Sequence, residues 1–298
     1  MTPPAVGEVY KDPTFGTLVK RVTDAPSMSL EHLTQHYPTS SPFSLDSDWL
    51  LVLANNGYRH LLTGDGSYVR RCPVGFQEDR WSRRHPDIAY YPQGNSLRGY
   101  NAATDSQFTV RTFSQYSNIV LGKGKSDLSD NDRTTIIGDD RYILIYDIAT
   151  DTEYAALDAS GRFFNWARPT PDGDGFAVQW DAGTSRWQGL ELFNINGQFQ
   201  RQLLNAGGHG DMGRDVDGTQ VYFQSNAATM PKQPAGSGKA MVKVRLSDGQ
   251  VTLLHPLHYS LAMHMSARAG DGWVYLSTYA YDDPDPAVTW YAYSLSLI

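Results

Sequence analysis

A turn followed by a strand, Val216-Asp-Gly-Thr-Gln-Val-Tyr-Phe-Gln224, is the unit of sequence that decides the fold. Asp217 and Gly218 are typical of a tight turn, and the short run after them predicts a strand with one face buried. The same order of an acidic or glycine turn and then a strand recurs along the chain. It is seen at Leu45-Asp-Ser-Asp48, Ser129-Asp-Asn-Asp132, Pro171-Asp-Gly-Asp174 and Ala269-Gly-Asp-Gly272.

Polar residues ahead of successive hairpins mark the phase of this repeat. They recur on average about every 46 residues, and propeller blades repeat roughly every 40–50 residues. A second and a third strand follow each marker, so we expect four-stranded blades and one all-β, β-propeller domain over residues 1–298. The markers are His36, His85, Asp127, Asn165, His209 and His264.

The number of blades and their closure follow from the same spacing. We expect six blades from about residue 31 onward, with seven as the alternative if a weak repeat or another polypeptide supplies one. Residues 1–30 are expected to form an N-terminal arm. Its lone strand, Gly16-Thr-Leu-Val-Lys-Arg-Val-Thr23, is predicted to close the propeller as the outer strand of the last blade.

Composition excludes several classes of function. The net charge of −7 provides no basic surface for nucleic acid. Cys72 is the only cysteine, so neither an intrachain disulfide nor a thiolate zinc cluster is expected. The sequence contains no apolar run of the roughly 18 residues that a membrane span needs and no signal peptide. We therefore expect a cytoplasmic location.

The densest group of chemically active residues is His209-Gly-Asp-Met-Gly-Arg-Asp215. His209 is a candidate general base or metal ligand, and Asp211 could orient its second nitrogen or bind a cation. The alternative is that Asp211 and Asp215 only accept hydrogen bonds from backbone amides at a blade turn. Arg214, in the same group, is a candidate for substrate binding.

The alternation in His264-Met-Ser-Ala-Arg268 predicts that His264, Ser266 and Arg268 face one side of a strand. Arg268 could then bind a substrate carboxylate with two parallel hydrogen bonds. The alternative is a buried histidine and an interblade ion pair. The remaining markers His36, His85 and Asn165 are further candidates for substrate binding.

Several histidines at one mouth of a propeller could hold a divalent ion. His209, Asp211 and His264 are the candidate ligands, and Mn²⁺, Ca²⁺ or Zn²⁺ the candidate ions. The sequence contains no His-Glu-x-x-His pair, no complete phosphate loop and no Gly-x-Ser-x-Gly elbow. Nucleotide hydrolysis and serine hydrolysis are therefore not expected.

Longer stretches resemble the bacterial oligogalacturonate-lyase-like propellers. They are Phe15–Asp24 and His36–Leu53 for the first blade, and His209–Gly218 and His264–Tyr279 for later blades. The resemblance implies a cytoplasmic seven-bladed propeller that holds a divalent metal through histidines and cleaves uronate oligosaccharides by β-elimination. It also implies that His209 and His264 act as base or metal ligands and that Arg268 binds the uronate carboxylate.

Two functions remain open at this point. One is a metal-assisted lyase for an acidic oligosaccharide, with His209 and Arg268 as catalytic residues. The other is a non-catalytic propeller that binds a protein or glycan partner, because the Gln and paired His of that family's last blade are not seen in this sequence. The sequence predicts no oligomeric state.

Overall fold

The computed structural model describes residues 4–13, 16, 18–73, 78–181, 186–225, 239–257, 261–267, 273–280 and 291–296. Regular structure in these ranges is β-strand, apart from two short 3₁₀ turns at Pro26–Met28 and Gly122–Gly124. No helix in the same ranges has the length and apolar character needed to cross a bilayer. The all-β prediction is therefore confirmed.

The chain divides into two compact units, one made of 1–36 and 42–113 and the other of 37–41 and 114–298. The first unit holds a two-stranded sheet, β1–β2, and two four-stranded antiparallel sheets, β3–β6 and β7–β10. Its strands are β1 Val9–Lys11, β2 Leu18–Lys20, β3 Leu33–Thr34, β4 Trp49–Ala54, β5 Arg59–Thr63, β6 Tyr68–Arg71, β7 Arg80–Trp81, β8 Ile88–Gln93, β9 Ser96–Asn101 and β10 Ser106–Thr112.

The second unit continues the same antiparallel pattern. Strands β11–β14 form a four-stranded path to which β15 adds by pairing with β13, and β16–β19 and β20–β23 form two further four-stranded sheets. The last sheet has three strands, β24–β26. The strands are β11 Ile119–Val120, β12 Arg133–Gly138, β13 Tyr142–Asp147, β14 Thr152–Glu153, β15 Leu157–Asp158, β16 Phe164–Pro169, β17 Gly175–Trp180, β18 Gly189–Asn194, β19 Phe199–Leu204, β20 Gly210–Arg214, β21 Gln220–Ser225, β22 Lys239–Arg245, β23 Val251–Leu257, β24 Leu261–Ser266, β25 Trp273–Ala280 and β26 Tyr291–Ser296.

Within the described residues the fold is thus a β-propeller with five blades of four antiparallel strands, a count that differs from the six predicted. The spacing of the markers shows where each repeat begins, but it does not give the number of strands that each repeat contributes. The repeat that begins near His264 contributes three described strands. The N-terminal strand was also predicted to stand alone and close the last blade. The strand is not alone, because β2 pairs with β1, with Val9 opposite Lys20, whereas the closure of the last blade stays a prediction.

The predicted turn ahead of β21 is confirmed in detail. The Gly218 N–H donates to the carbonyl of Asp215 at 2.9 Å, and the side chain of Asp217 accepts from the Thr219 N–H at 2.9 Å. Gly218 has a φ of +82°, which a residue without a Cβ adopts at little cost. The turn chemistry of the sequence therefore determines where this hairpin bends.

Strand β17 shows why the middle strands contain almost no exposed residues. All six of its residues are buried. Phe176, Val178 and Trp180 pack in one hydrophobic cluster, whereas Ala177 packs in another with Trp166 and Tyr222. Successive side chains of a strand point to opposite faces, so both faces of this sheet are covered. Trp166 and Trp180 belong to this interior, since they are 4% and 2% exposed.

Candidate active site

A cavity of about 330 Å³ in the second unit brings several polar side chains together. It lies within the size range of small-ligand pockets, at the lower end. The polar side chains lining it are Tyr37, Lys125, Asn165, Gln179, Asp181 and His209. Two of them, Asn165 and His209, were among the residues predicted to form the site.

His209, which lines this cavity, lies against His264. Their ring centroids are 4.8 Å apart with an angle of 70° between the planes. His209 directly precedes β20, and His264 lies within β24. The predicted meeting of His209 and His264, more than fifty positions apart in sequence, is thus present in the second unit.

The backbone after His209 has no room for a larger residue. A Cβ on Gly210 would lie 2.2 Å from the Tyr222 hydroxyl and 2.4 Å from the carbonyl oxygen of Phe223. Real Cβ atoms do not approach a backbone oxygen so closely, so glycine is required here for β20 to pair with β21. This close approach holds the start of β20, and His209 with it, against the interior.

Both imidazoles favour the neutral form. Burial lowers the pKa of His209 below its ordinary value of 6.5, and the nearby His264 and Lys125 lower it further. The pKa of His264 is lowered by burial and then by Lys125. Nδ1 of His264 is buried and makes no hydrogen bond within the described part of the chain. Near neutral pH, both rings can therefore accept a proton.

Lys125 supplies the positive charge of the site. Its Nζ donates to Oδ1 of Asn165 at 2.5 Å. Burial lowers the pKa of Lys125, while the carboxylate of Asp181 opposes that shift. An ammonium group beside two neutral imidazoles can attract an anionic group, and a bound carboxylate would share Lys125 with Asp181, whose carboxylate lines the same cavity.

Lys125 was not among the predicted site residues, although the sequence holds a signal for it. Lys125 precedes Asp127 by two residues, as His209 precedes Asp211. Asp127 and Asp211 are both buried, and each accepts a hydrogen bond from the N–H of the next residue, at 2.8 Å and 2.7 Å. Aligning the repeats on these buried aspartates, rather than on the nearest polar residue, would have identified Lys125.

Asp211, two residues after His209, is fully buried. It forms an ion pair with Arg168, and its two carboxylate oxygens accept from the N–H groups of Met212 and Ala267, each at 2.7 Å. These contacts match the backbone role that the sequence left open for Asp211. Its negative charge is balanced by the buried guanidinium.

The other predicted site residues occupy different surroundings. His36 and His85 belong to the first unit, where His36 Nδ1 is 3.4 Å from Arg59 Nη2 and His85 is exposed in the turn between β7 and β8. Arg214, at the other end of β20 from His209, forms ion pairs with Asp130 and Asp172. Arg268 lies outside the described residues.

The histidine markers do not share one strand position, as the repeat spacing had suggested. His36 follows the short strand β3, and His85 lies in a hairpin turn, whereas His264 lies within its strand. An average spacing along the sequence allows each marker to be offset by several residues from its true strand position. At about 3.3 Å per residue in a strand, an offset of that size displaces a side chain by about 10 Å or more.

Solved structures share the fold of this chain. Oligogalacturonate lyase in complex with manganese matches with a TM-score of 0.66 and 15% sequence identity, covering 97% of this chain and 81% of that chain. Hydrazine synthase of Kuenenia stuttgartiensis matches with a TM-score of 0.51 and 13% identity, covering 82% and 75%. No protein-family model and no curated protein matches the chain. At these identities the likeness shows a distant β-propeller relationship and the fold alone.

The manganese of the first of these structures raises the question of a metal here. His209 and His264 offer two imidazoles, but the described residues contain no group of three or more His, Cys, Asp or Glu side chains arranged to hold an ion. The third predicted ligand, Asp211, is bound to Arg168 and to two backbone N–H groups. Protein-held zinc, for comparison, has at least three protein ligands. The described donor set does not fit a metal ion.

Proposed function

We propose that the protein is a lyase that cleaves an acidic oligosaccharide by β-elimination at the Lys125–His209 cavity. The observation that carries this proposal is the presence of a neutral imidazole pair beside one ammonium group. Elimination next to a carboxylate needs a group that neutralises the carboxylate and a base that removes the neighbouring proton. Lys125 and His209 are residues of these two kinds on one cavity.

The carboxylate of a uronate would bind at Lys125. Asn165 holds the ammonium group from one side through its Oδ1, and among the described residues the other N–H donors of Lys125 are left to a ligand. Pairing the carboxylate with a cation makes the proton on the adjacent carbon more acidic, because the charge that develops on the carboxylate oxygens is stabilised.

His209 would then remove that proton. Its ring nitrogen takes the proton, the electron pair forms a carbon–carbon double bond, and the glycosidic C–O bond at the next carbon breaks. The products are an unsaturated uronate and a sugar hydroxyl, so water is not consumed. The lowered pKa of His209 keeps its ring unprotonated near neutral pH. Positioned general bases typically contribute a factor of about 10²–10⁴ to the rate.

Other expectations from the sequence are carried forward as parts of the proposal. Arg268 could add a second contact to the carboxylate, and a divalent ion, Mn²⁺, Ca²⁺ or Zn²⁺, could bind with ligands from outside the described residues. The step above uses neither. The cytoplasmic location also stays a prediction.

The experiment is an assay of the purified chain on oligogalacturonides and other uronate oligosaccharides, following the ultraviolet absorbance of the conjugated double bond. Samples with and without chelator, and with metal content measured, separate a metal requirement from the step assigned to His209. We expect turnover by the wild type and a loss of about 10²–10⁴-fold in His209→Ala. The control is His32→Ala, which changes an exposed histidine elsewhere.

The proposal is overturned if no uronate substrate yields the absorbance, or if His209→Ala retains wild-type turnover. Binding of the oligosaccharide without any turnover would instead support the alternative, a non-catalytic propeller that binds a glycan. Isothermal calorimetry on the same substrates measures that binding directly.

A further inference from the structure

We propose that Tyr37 is the catalytic acid of this site and donates its phenolic proton to the departing glycosidic oxygen. This inference rests on the proposed function. β-Elimination from a sugar needs an acid as well as a base, because an unprotonated sugar alkoxide is a poor leaving group. The proposed base, His209, removes a proton from carbon and does not at the same time supply one to the leaving oxygen.

Tyr37 lies at the same cavity as the proposed base. Its side chain lines the cavity with Lys125 and His209. The Tyr37 ring packs edge-on against His264, with the centroids 5.6 Å apart and the planes at 85°, and His264 in turn contacts His209. Tyr37 and His209 therefore both contact the ring of His264, and a substrate in the cavity can reach both Tyr37 and His209.

The hydroxyl of Tyr37 has no hydrogen-bond partner in the part of the chain that the structure describes, although its side chain is half-buried. The hydroxyl of the buried Tyr146, in contrast, donates to Asp151 Oδ1 at 2.8 Å. An unbound phenol at a polar cavity is free to donate to a ligand oxygen.

The protonation state of Tyr37 suits an acid. Burial raises its pKa above the ordinary 10.0, and the carboxylate of Asp211 raises it further, while Arg168 partly opposes the shift. The phenol therefore keeps its proton across the neutral range. This distinguishes Tyr37 from His209, whose lowered pKa makes it a base under the same conditions.

The segment that carries Tyr37 is held in place. The carbonyl oxygen of Tyr37 accepts from the N–H of Ser40 at 3.0 Å and from its hydroxyl at 3.1 Å. Nη2 of Arg168 donates to the carbonyl of Thr39 at 3.0 Å. Thr39 and Ser40 are buried. The segment is thus anchored to the strand that carries Arg168, and the phenol has a defined position relative to the imidazoles.

The proton balance of the step is complete. As the C–O bond breaks, the Tyr37 O–H bond breaks with it and the proton joins the leaving oxygen, which departs as a hydroxyl. His209 holds the proton taken from carbon, so the site is left with a phenolate and an imidazolium. Transfer of that proton to Tyr37 through solvent restores both groups before the next cycle.

The test is the variant Tyr37→Phe, which keeps the ring against His264 and removes only the hydroxyl. It is assayed with an oligogalacturonide and with a uronate that carries a nitrophenyl leaving group at the same carbon. A nitrophenolate departs without a proton. We expect a loss of kcat of about 10²–10⁴-fold on the oligosaccharide and near wild-type kcat on the nitrophenyl substrate.

The control is Tyr222→Phe, which removes a fully buried hydroxyl that makes no hydrogen bond within the described ranges. We expect it to retain activity on both substrates. If Tyr37→Phe loses activity equally on the two substrates, or on neither, Tyr37 is not the acid although the lyase function stands. If the wild type turns over neither substrate, the lyase function and the acid are both overturned.

Discussion

The buried ion pair between Arg168 and Asp211 connects three parts of the candidate site. Arg168 is 2% exposed and Asp211 is 0% exposed. Arg168 binds the carbonyl of Thr39, next to Tyr37, and Asp211 lies two residues after His209. Oδ2 of Asp211 accepts from the N–H of Ala267, in the chain that follows His264. One ion pair therefore positions the segments of the phenol and of both imidazoles.

Removing one partner of this pair should destabilise the protein strongly. In Asp211→Ala the guanidinium of Arg168 is left buried without its carboxylate, and two backbone N–H groups lose their acceptor. The expected loss in the free energy of unfolding is about 3–5 kcal/mol, measured by chemical denaturation. The control is Asp172→Ala, which removes one carboxylate from the more exposed Arg214 pair and should cost about 1 kcal/mol or less. Equal losses in the two variants would contradict the anchoring role of Asp211.

The charge of Lys125 should be visible in the titration of the two histidines. Because Lys125 lowers the pKa of both His209 and His264, Lys125→Gln should raise both pKa values toward 6.5. The measurement is the pH dependence of the imidazole resonances by NMR. In activity, the low-pH limb of kcat/KM should move to higher pH, because the base is protonated sooner as pH falls. Unchanged histidine pKa values would show that Lys125 lies too far away to act on them.

Gly210→Ala tests the close packing at the start of β20. The added Cβ meets the Tyr222 hydroxyl and, more seriously, the Phe223 carbonyl of the paired strand. We expect a loss of about 1–3 kcal/mol in the free energy of unfolding. The double variant with Tyr222→Phe should recover only part of this loss, since the backbone oxygen remains. Full recovery would show that the hydroxyl alone excludes a side chain.

His36 should make the stability of the first unit depend on pH. Burial, Arg80 and Arg59 lower its pKa from 6.5 to about 4, while Asp79 opposes the shift. The unfolded chain therefore binds more protons than the folded chain between these values, and stability falls as pH drops from 6.5 toward 4. The contribution is about 2 kcal/mol after allowance for partial exposure. Denaturation of His36→Asn over the same pH range should show a smaller decrease, and an identical one would exclude His36 as the cause.

The success of the strand and turn predictions has a local cause. The Asp217–Gly218 turn is formed by hydrogen bonds and a positive φ within a few residues, so its sequence contains what is needed. The same holds for the burial of Trp166 and Trp180, which follows from their size and the alternation of their strands. The number of complete blades does not follow from such local features, because it depends on how many strands pair in each sheet, and the last described sheet has three.

The sequence by itself determined the strand repeat, the turns and the candidacy of His209, His264 and Asn165, because each follows from residue type and short spacing. Only the tertiary structure decided that Lys125 and Tyr37 join them and that Asp211 binds Arg168. These relations join residues that are 40 or more positions apart in the chain. The charge of Lys125 acts on two imidazoles, and the carboxylate of Asp211 is bound by its neighbours. Both effects depend on distances in space, which the spacing of a sequence repeat does not define.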